Sequence, residues 1–269
     1  MNRKLVLIFA AVFLTTLIAV FIIKKGNLTL KKTSKVVSLS ALSAQAQELK
    51  KKGELLNAKI AYQKLINEFP NSQEIVNWQK KIENLNIKLL FSSVITPGSI
   101  LYDIKPGDTL TKIAKKFKTT PELIMKSNNL TNDKIMPGRK IKVWNTPFSI
   151  VVDKSQNTLI LKTEEEIIKT YIVSTGTNNS TPVGNFKIIN KLPEPTWFKA
   201  GVVIPGDSPN NILGSRWLGF DLSGYGIHGT VDPQSLGKQV TQGCVRMSNS
   251  EVEELYTIVP TGTEVTIID

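Results

Sequence analysis

The sequence predicts a multidomain chain: an N-terminal transmembrane helix, an all-α hairpin unit, a small α+β unit and a mostly-β C-terminal domain. Three patterns carry that division. Leu5 to Ile23 is an uncharged apolar run. Residues 39–90 repeat apolar side chains at three- and four-residue spacing. From Phe148 onward, short runs rich in Val, Ile and Thr alternate with Gly, Pro and Asn turns. With 269 residues and 41% hydrophobic side chains there is enough apolar surface for several cores, which excludes wholesale disorder and collagen-like chains.

The formal charge of +12 is unevenly spread: residues 146–269 hold 9 basic and 13 acidic side chains, residues 1–145 hold 25 and 9. A basic front invites a nucleic-acid reading, but no aromatic–basic stacking pattern accompanies the lysines, so no nucleic-acid partner is expected. One Cys and one His exclude an intramolecular disulfide and a structural Cys/His zinc site. No metal and no cofactor are expected.

The run Leu5–Ile23 follows Arg3-Lys4 and is closed by Lys24-Lys25. At about 1.5 Å per residue it just spans a hydrocarbon core of about 30 Å. No small-x-small cleavage site interrupts its end, so residues 1–25 read as a cytoplasmic tip and uncleaved signal anchor, with a cleaved signal as the alternative. Lys24, Lys25, Lys31, Lys32 and Lys35 outnumber Arg3 and Lys4, so charge asymmetry by itself favours an inward body. Residues 26–37 are polar and Lys-rich, a tether beside the membrane.

Residues 38–92 read as helices. Leu39, Leu42, Ala46 and Leu49 line one face, Gly53 breaks the pattern, and Leu56, Ala58, Ala61, Tyr62 and Leu65 resume it before Phe69-Pro70. A third helix from about Ser72 to Leu90 carries Ile75, Trp78, Ile82, Leu85 and Leu89. The spacing of Gly53, Ala58, Tyr62, Leu65 and Pro70 resembles the second half of a tetratricopeptide repeat. Only one unit is present where about three normally share a core. The segment reads as a TPR-like spacer or as a groove for a protein partner.

Residues 99–145 read β-α-α-β: a strand around Tyr102-Asp103-Ile104-Lys105, a helix with Leu110, Ile113, Ala114 and Phe117 capped by Asp108, a second helix opened by Pro121, and a return strand over Ile135–Val143. The segments YDIKPGDTLTKIAKKF, SNNL and IMPGRKIKV resemble a LysM module in order and spacing. That resemblance implies binding of N-acetylglucosamine-containing glycan between the loop after the first strand and the loop after the second helix. Leu110, Ile113 and Ile124 are core residues on either reading, and Gly107 and Gly138 serve turns.

Residues 148–269 carry strands at Ile150–Asp153, Leu159–Leu161 and Thr170–Ser174, turn punctuation through Gly176 and Thr181–Phe186, a strand at Lys187–Ile189, a helix at Glu251–Ile258 and a last strand at Glu264–Ile267. His228 and Cys244 lie 16 residues apart in GYGIHGTVDPQSLGKQVTQGCVRMSN, too far for one element but within reach of two neighbouring strands. A free thiol is a weak nucleophile at a pKa of about 8.5, and an adjacent imidazole activates it. By residue type alone the pair is equally a buried thiol and a satisfied core histidine.

The segments IHGT and TQGCVRMSN, preceded by STPVGNFKI and followed by VPTGTEVTI, resemble the YkuD-type L,D-transpeptidases. The resemblance implies a mostly-β catalytic domain and an extracytoplasmic body, periplasmic or on the outer face, which overrides the lysine asymmetry. It implies that Cys244 attacks a peptidoglycan stem tetrapeptide, that His228 is the general base and that the Gly229 carbonyl orients it. It also implies an oxyanion hole from the N–H groups of Cys244 and Gly243, and a carboxylate-holding role for Arg246. Where the family commonly has a second His before the Gly-Cys pair, this chain has Gln242, expected to supply a neutral hydrogen bond to substrate. Trp197, Trp217 and Tyr225 read as cleft walls or as core. Water as acceptor gives an L,D-carboxypeptidase, and loss of turnover gives a wall-binding scaffold.

Overall fold

The computed structural model describes residues 38–199 and 201–269. The apolar run at 5–23 and the tether at 26–37 lie outside the described residues. Among the described residues no helix is long and apolar enough to cross a membrane.

Helices α1 (Leu39–Lys51), α2 (Leu55–Glu68) and α3 (Ile75–Leu90) follow the sequence periodicity. The Ser38 hydroxyl caps α1 by accepting from Ala41 N, and Gly53, at φ 76°, takes the left-handed turn that a side chain would strain. Leu42, Ala46, Ala58, Tyr62, Leu65, Trp78, Ile82 and Leu85 make the shared core. Helix α3 also has a second apolar face. Its Ile87 and Leu90 join the core of the C-terminal domain, and Asn86 Nδ2 donates to the carbonyls of Ile167 and Ile168, 3.1 Å each. A Lys59–Glu166 ion pair at 2.6 Å adds a clasp. The expected spacer is thus docked on the domain it precedes, and Ser38–Asp269 form one compact unit.

Strands β1 (Ser99–Asp103) and β2 (Lys140–Trp144) pair antiparallel and enclose α4 (Leu110–Phe117) and α5 (Pro121–Ser127). The βααβ order stands as expected, with local corrections. Thr109, not Asp108, caps α4, accepting from Lys112 N at 3.2 Å. Asp108 lies one residue too early for that bond and instead accepts from Lys105 N and the Tyr102 hydroxyl, 2.9 Å each, closing the preceding loop. The return strand starts only at Lys140, because Pro137 removes a donor and Gly138 sits at φ 84°.

The C-terminal domain is built on an eight-stranded sheet containing β3 (Ser149–Asp153), β4 (Thr158–Lys162), β5 (Ile167–Ile172), β7 (Gly184–Pro193), β10 (Arg216–Phe220), β11 (Gly226–His228), β13 (Val245–Arg246) and β14 (Glu264–Ile268). Their spatial order is β13-β11-β10-β7-β14-β3-β4-β5, with β13/β11 and β14/β3 parallel and the remaining pairs antiparallel. Two small ribbons, β6 (Thr175–Gly176) with β12 (Gln239–Thr241) and β8 (Trp197–Lys199) with β9 (Val202–Ile204), complete it. Helix α6 (Asn249–Ile258), capped by Ser248, buries Val252, Leu255 and Ile258 in the sheet core.

Lys142 joins the modules. Its buried ammonium donates to the Leu89 and Ser92 carbonyls at 2.6 and 2.8 Å, where α3 ends and carbonyls lack helical partners. Replacing it by Met keeps the apolar stem but removes the donor to the Ser92 carbonyl, while the Leu89 carbonyl keeps the Ser92 N–H and hydroxyl. Lys142→Met is expected to lose about 2 kcal/mol of stability, read as a lower unfolding midpoint in thermal denaturation followed by circular dichroism.

Candidate active site

Parallel pairing of β11 with β13 sets Ile227 against Val245 and His228 against Arg246. One step back along the same register, Cys244 falls beside Gly226. Because side chains alternate across a strand, Cys244, Arg246 and His228 project from one face. The antiparallel partner β10 sets Trp217 against His228, and the indole stacks on the imidazole with centroids 6.1 Å apart. This face forms the floor of a cleft of about 660 Å³ lined by Trp197, Trp217, Tyr225, His228, Gln242, Cys244 and Arg246. A second cleft of about 700 Å³, between α4, α5 and Tyr256, contains neither Cys244 nor His228.

The imidazole is buried and its Nδ1 lies 2.7 Å from the Gly229 carbonyl oxygen. A carbonyl only accepts, so Nδ1 carries the proton and Nε2 keeps its lone pair. Burial pushes the His228 pKa down to about 4. The Gly229 and Leu213 carbonyls pull against that shift, and the Arg246 charge adds to it. Burial likewise raises the Cys244 thiol, a shift that a hydrogen bond from Gly226 and the nearby Arg246 guanidinium oppose. The resting pair is therefore a neutral thiol and a neutral imidazole. The thiol donates to the Gly224 carbonyl at 3.4 Å rather than to the ring.

The turn before Cys244 is held by Thr241, whose hydroxyl donates to the Cys244 carbonyl at 2.7 Å and accepts from Gly243 N at 3.2 Å. The Gly243 N–H is thus engaged within the turn. Gly243 has φ 129°, and a Cβ there would lie 2.7 Å from the Tyr225 ring, so only glycine fits. Arg246 donates from Nη1 to the Ser235 hydroxyl at 2.9 Å, while its buried Nε has no partner. Gln242 is exposed at the cleft rim. Among the described residues no three His, Cys, Asp or Glu side chains converge as a metal site.

Sequence reasoning named Thr241 and Asn249 only as letters of a motif. Asn211 it did not single out. Buried at the base of the β8–β9 ribbon, Asn211 donates to the Pro195 and Pro205 carbonyls at 2.7 and 2.9 Å and accepts from Leu213 N at 3.0 Å. It ties the ribbon over the cleft to the loop beside His228. The signals available in sequence were the threonine three residues before Cys244 and the Arg-x-x-Asn spacing.

Comparison with known proteins agrees with this geometry. Residues 147–267 match the family model of the YkuD L,D-transpeptidase catalytic domain, and residues 102–144 match that of the LysM domain. The Bacillus licheniformis protein YkuD, named for the L,D-transpeptidases, is 35% identical over 176 residues, which cover 62% of this chain and 98% of that protein. Its Bacillus subtilis counterpart is 34% identical over 175 residues, again 62% of this chain and 98% of that one. The Bacillus subtilis protein YqjB, similarly named, is 42% identical over 126 residues, 45% of this chain and 70% of that one. With more than a third of its residues identical over nearly the whole length of the two YkuD proteins, this chain belongs to the YkuD family of L,D-transpeptidases.

Proposed function

We propose that this chain is a peptidoglycan L,D-transpeptidase that works through a thioester on Cys244. The observation that carries the reading is the shared face: Cys244, His228 and Arg246 project together into a cleft large enough for a peptide, and the imidazole is held through Nδ1 by the Gly229 carbonyl. The donor is a stem tetrapeptide, the acceptor an amine on a neighbouring stem, and the LysM module holds the glycan.

In the first half-reaction the thiol turns from the Gly224 carbonyl toward the scissile carbonyl of the third stem residue and passes its proton to His228 Nε2. The C–S bond forms, and the carbonyl oxygen becomes an oxyanion facing the Cys244 N–H. The imidazolium returns the proton to the leaving nitrogen, and D-alanine departs. In the second half-reaction the acceptor amine attacks the thioester, His228 takes its proton, and the thiol is restored as the new amide forms. The Arg246 guanidinium stabilises charge on sulfur and offers its unpartnered Nε to a stem carboxylate. Tyr225, Trp217 and Gln242 line the peptide path. The apolar run at 5–23 is read as the anchor holding this body on the outer side of the membrane.

Intact-protein mass spectrometry with a disaccharide tetrapeptide tests the reading. The expected result is a covalent adduct that Cys244→Ala abolishes, together with cross-linked dimer. Tripeptide without dimer would indicate the carboxypeptidase, and a folded protein with neither adduct nor product would leave a glycan-binding scaffold.

Two further outcomes follow from the site. Gln242 is exposed and makes no hydrogen bond within the described chain, so Gln242→His is expected to keep the acylation rate within about tenfold. Complete loss of acylation in that variant would overturn the role assigned to His228. Because His228 protonates only near pH 4, the acylation rate is expected to stay level from neutral pH to about pH 5 and to fall as the pH approaches 4. A stopped-flow pH profile that already falls below pH 7 would contradict a buried neutral base.

A further inference from the structure

Asn249 opens α6 but does not cap it, since Ser248 does that. Its side chain reaches back beneath the site. Oδ1 accepts two backbone N–H groups at 3.0 Å each, from Ser215 and from Thr230. Two N–H donors converging on one atom settle which end of the amide is oxygen. The fit leaves no slack, because a Cβ on either Gly214 or Gly229 would lie 2.2 Å from that oxygen. The two segments so joined are the ones around the imidazole. Gly229-Thr230 follows His228 directly and supplies the carbonyl on Nδ1, while Leu213–Ser215 supplies the Leu213 carbonyl beside the ring and leads into β10, whose Trp217 stacks on it.

We propose that Asn249 is the positioning residue of His228: its carboxamide oxygen clamps the Ser215 and Thr230 backbones so that the Gly229 carbonyl stays on Nδ1 and Nε2 faces the cleft. Asn249 touches neither substrate nor sulfur. Its effect runs through the orientation and tautomer of the ring, the kind of misplacement that costs catalysis without costing binding. The inference rests on His228 being the base, but its geometry has a readout that does not need turnover.

That readout exists because His228 is the only histidine. In the full chain labelled with ¹⁵N, the ring signals need no assignment strategy and report both tautomer and titration. The wild type is expected to show Nδ1–H and to titrate near pH 4. Asn249→Ala removes the acceptor. It is expected to show mixed tautomers, a titration moved below the wild-type value because the Gly229 carbonyl no longer supports the protonated ring while burial persists, and an acylation rate at least about tenfold lower with half-saturation within about twofold.

Asn249→Asp keeps the oxygen acceptor and adds a charge. The carboxylate accepts the same two N–H groups, Nδ1–H persists, and His228 titrates higher than in wild type although the Arg246 cation still opposes its protonation. An Asn249→Ala protein with the wild-type tautomer and titration overturns the proposal whatever its activity. Should Asn249→Ala fail to fold, Asn249→Asp decides: a raised titration with Nδ1–H supports the clamp, and an unmoved titration or a lost Nδ1–H overturns it. Absence of acylation in wild type, with the ring signals as expected, refutes the transpeptidase reading and leaves the clamp standing.

Discussion

The parallel pairing of β11 with β13 is the constraint on which the rest of the site depends. Parallel neighbours cannot be joined by a tight hairpin, so a long connection must return the chain to the same end of the sheet. That connection, residues 229–244, carries Gly229, the Asp232–Ser235 turn and Thr241. It delivers Cys244 to the mouth of β13 with its side chain on the face already occupied by His228. A slip of β13 by one residue would send Cys244 and Arg246 through the sheet toward the core of Ile227, Val245 and Met247, away from His228. Hydrogen bonds outside the ladder guard against it: Met247 N donates to the His228 carbonyl at 2.8 Å, and Ser174 and Arg246 exchange backbone bonds at 2.8 and 2.9 Å.

Burial sets the chemistry as firmly as geometry does. Both partners favour their neutral forms here, since removing water penalises thiolate and imidazolium alike. The resting pair is thus neutral rather than ionic. The Arg246 charge favours the sulfur anion while disfavouring the imidazolium. In the half-buried Arg246 the Nε alone is buried without a partner, and a polar atom left so is costly to keep.

What could be read from sequence follows from the range of the interactions involved. The helices α1 to α3 and the βααβ order were legible because apolar periodicity and caps are local. Asp108 was misjudged as a cap because Asp and Thr both qualify and only the tertiary bond from Tyr102 separates them. The short strands β8 to β11 were not delimited, since stretches of three to five residues interrupted by Gly219, Gly224 and Gly226 carry little period-two signal. His228 and Cys244 were legible through their glycine-flanked motifs. The work of Asn249, Thr241 and Asn211 was hidden, because each matters only once distant backbone segments have met it.

Docking of the modules changes what glycan binding accomplishes. A LysM module on a free tether would raise only the local concentration of stem peptides around the cleft. Here only residues 145–148 separate β2 from β3, the Trp144 and Phe148 rings stack with centroids 5.2 Å apart, the Thr120 hydroxyl donates to the Thr257 carbonyl, and Leu123 shares the core of the catalytic sheet. With the module seated on the catalytic body, its loops hold a fixed position relative to the cleft at Cys244. Linkage of this kind gains affinity only when both sites engage together, and is lost when geometry forbids it.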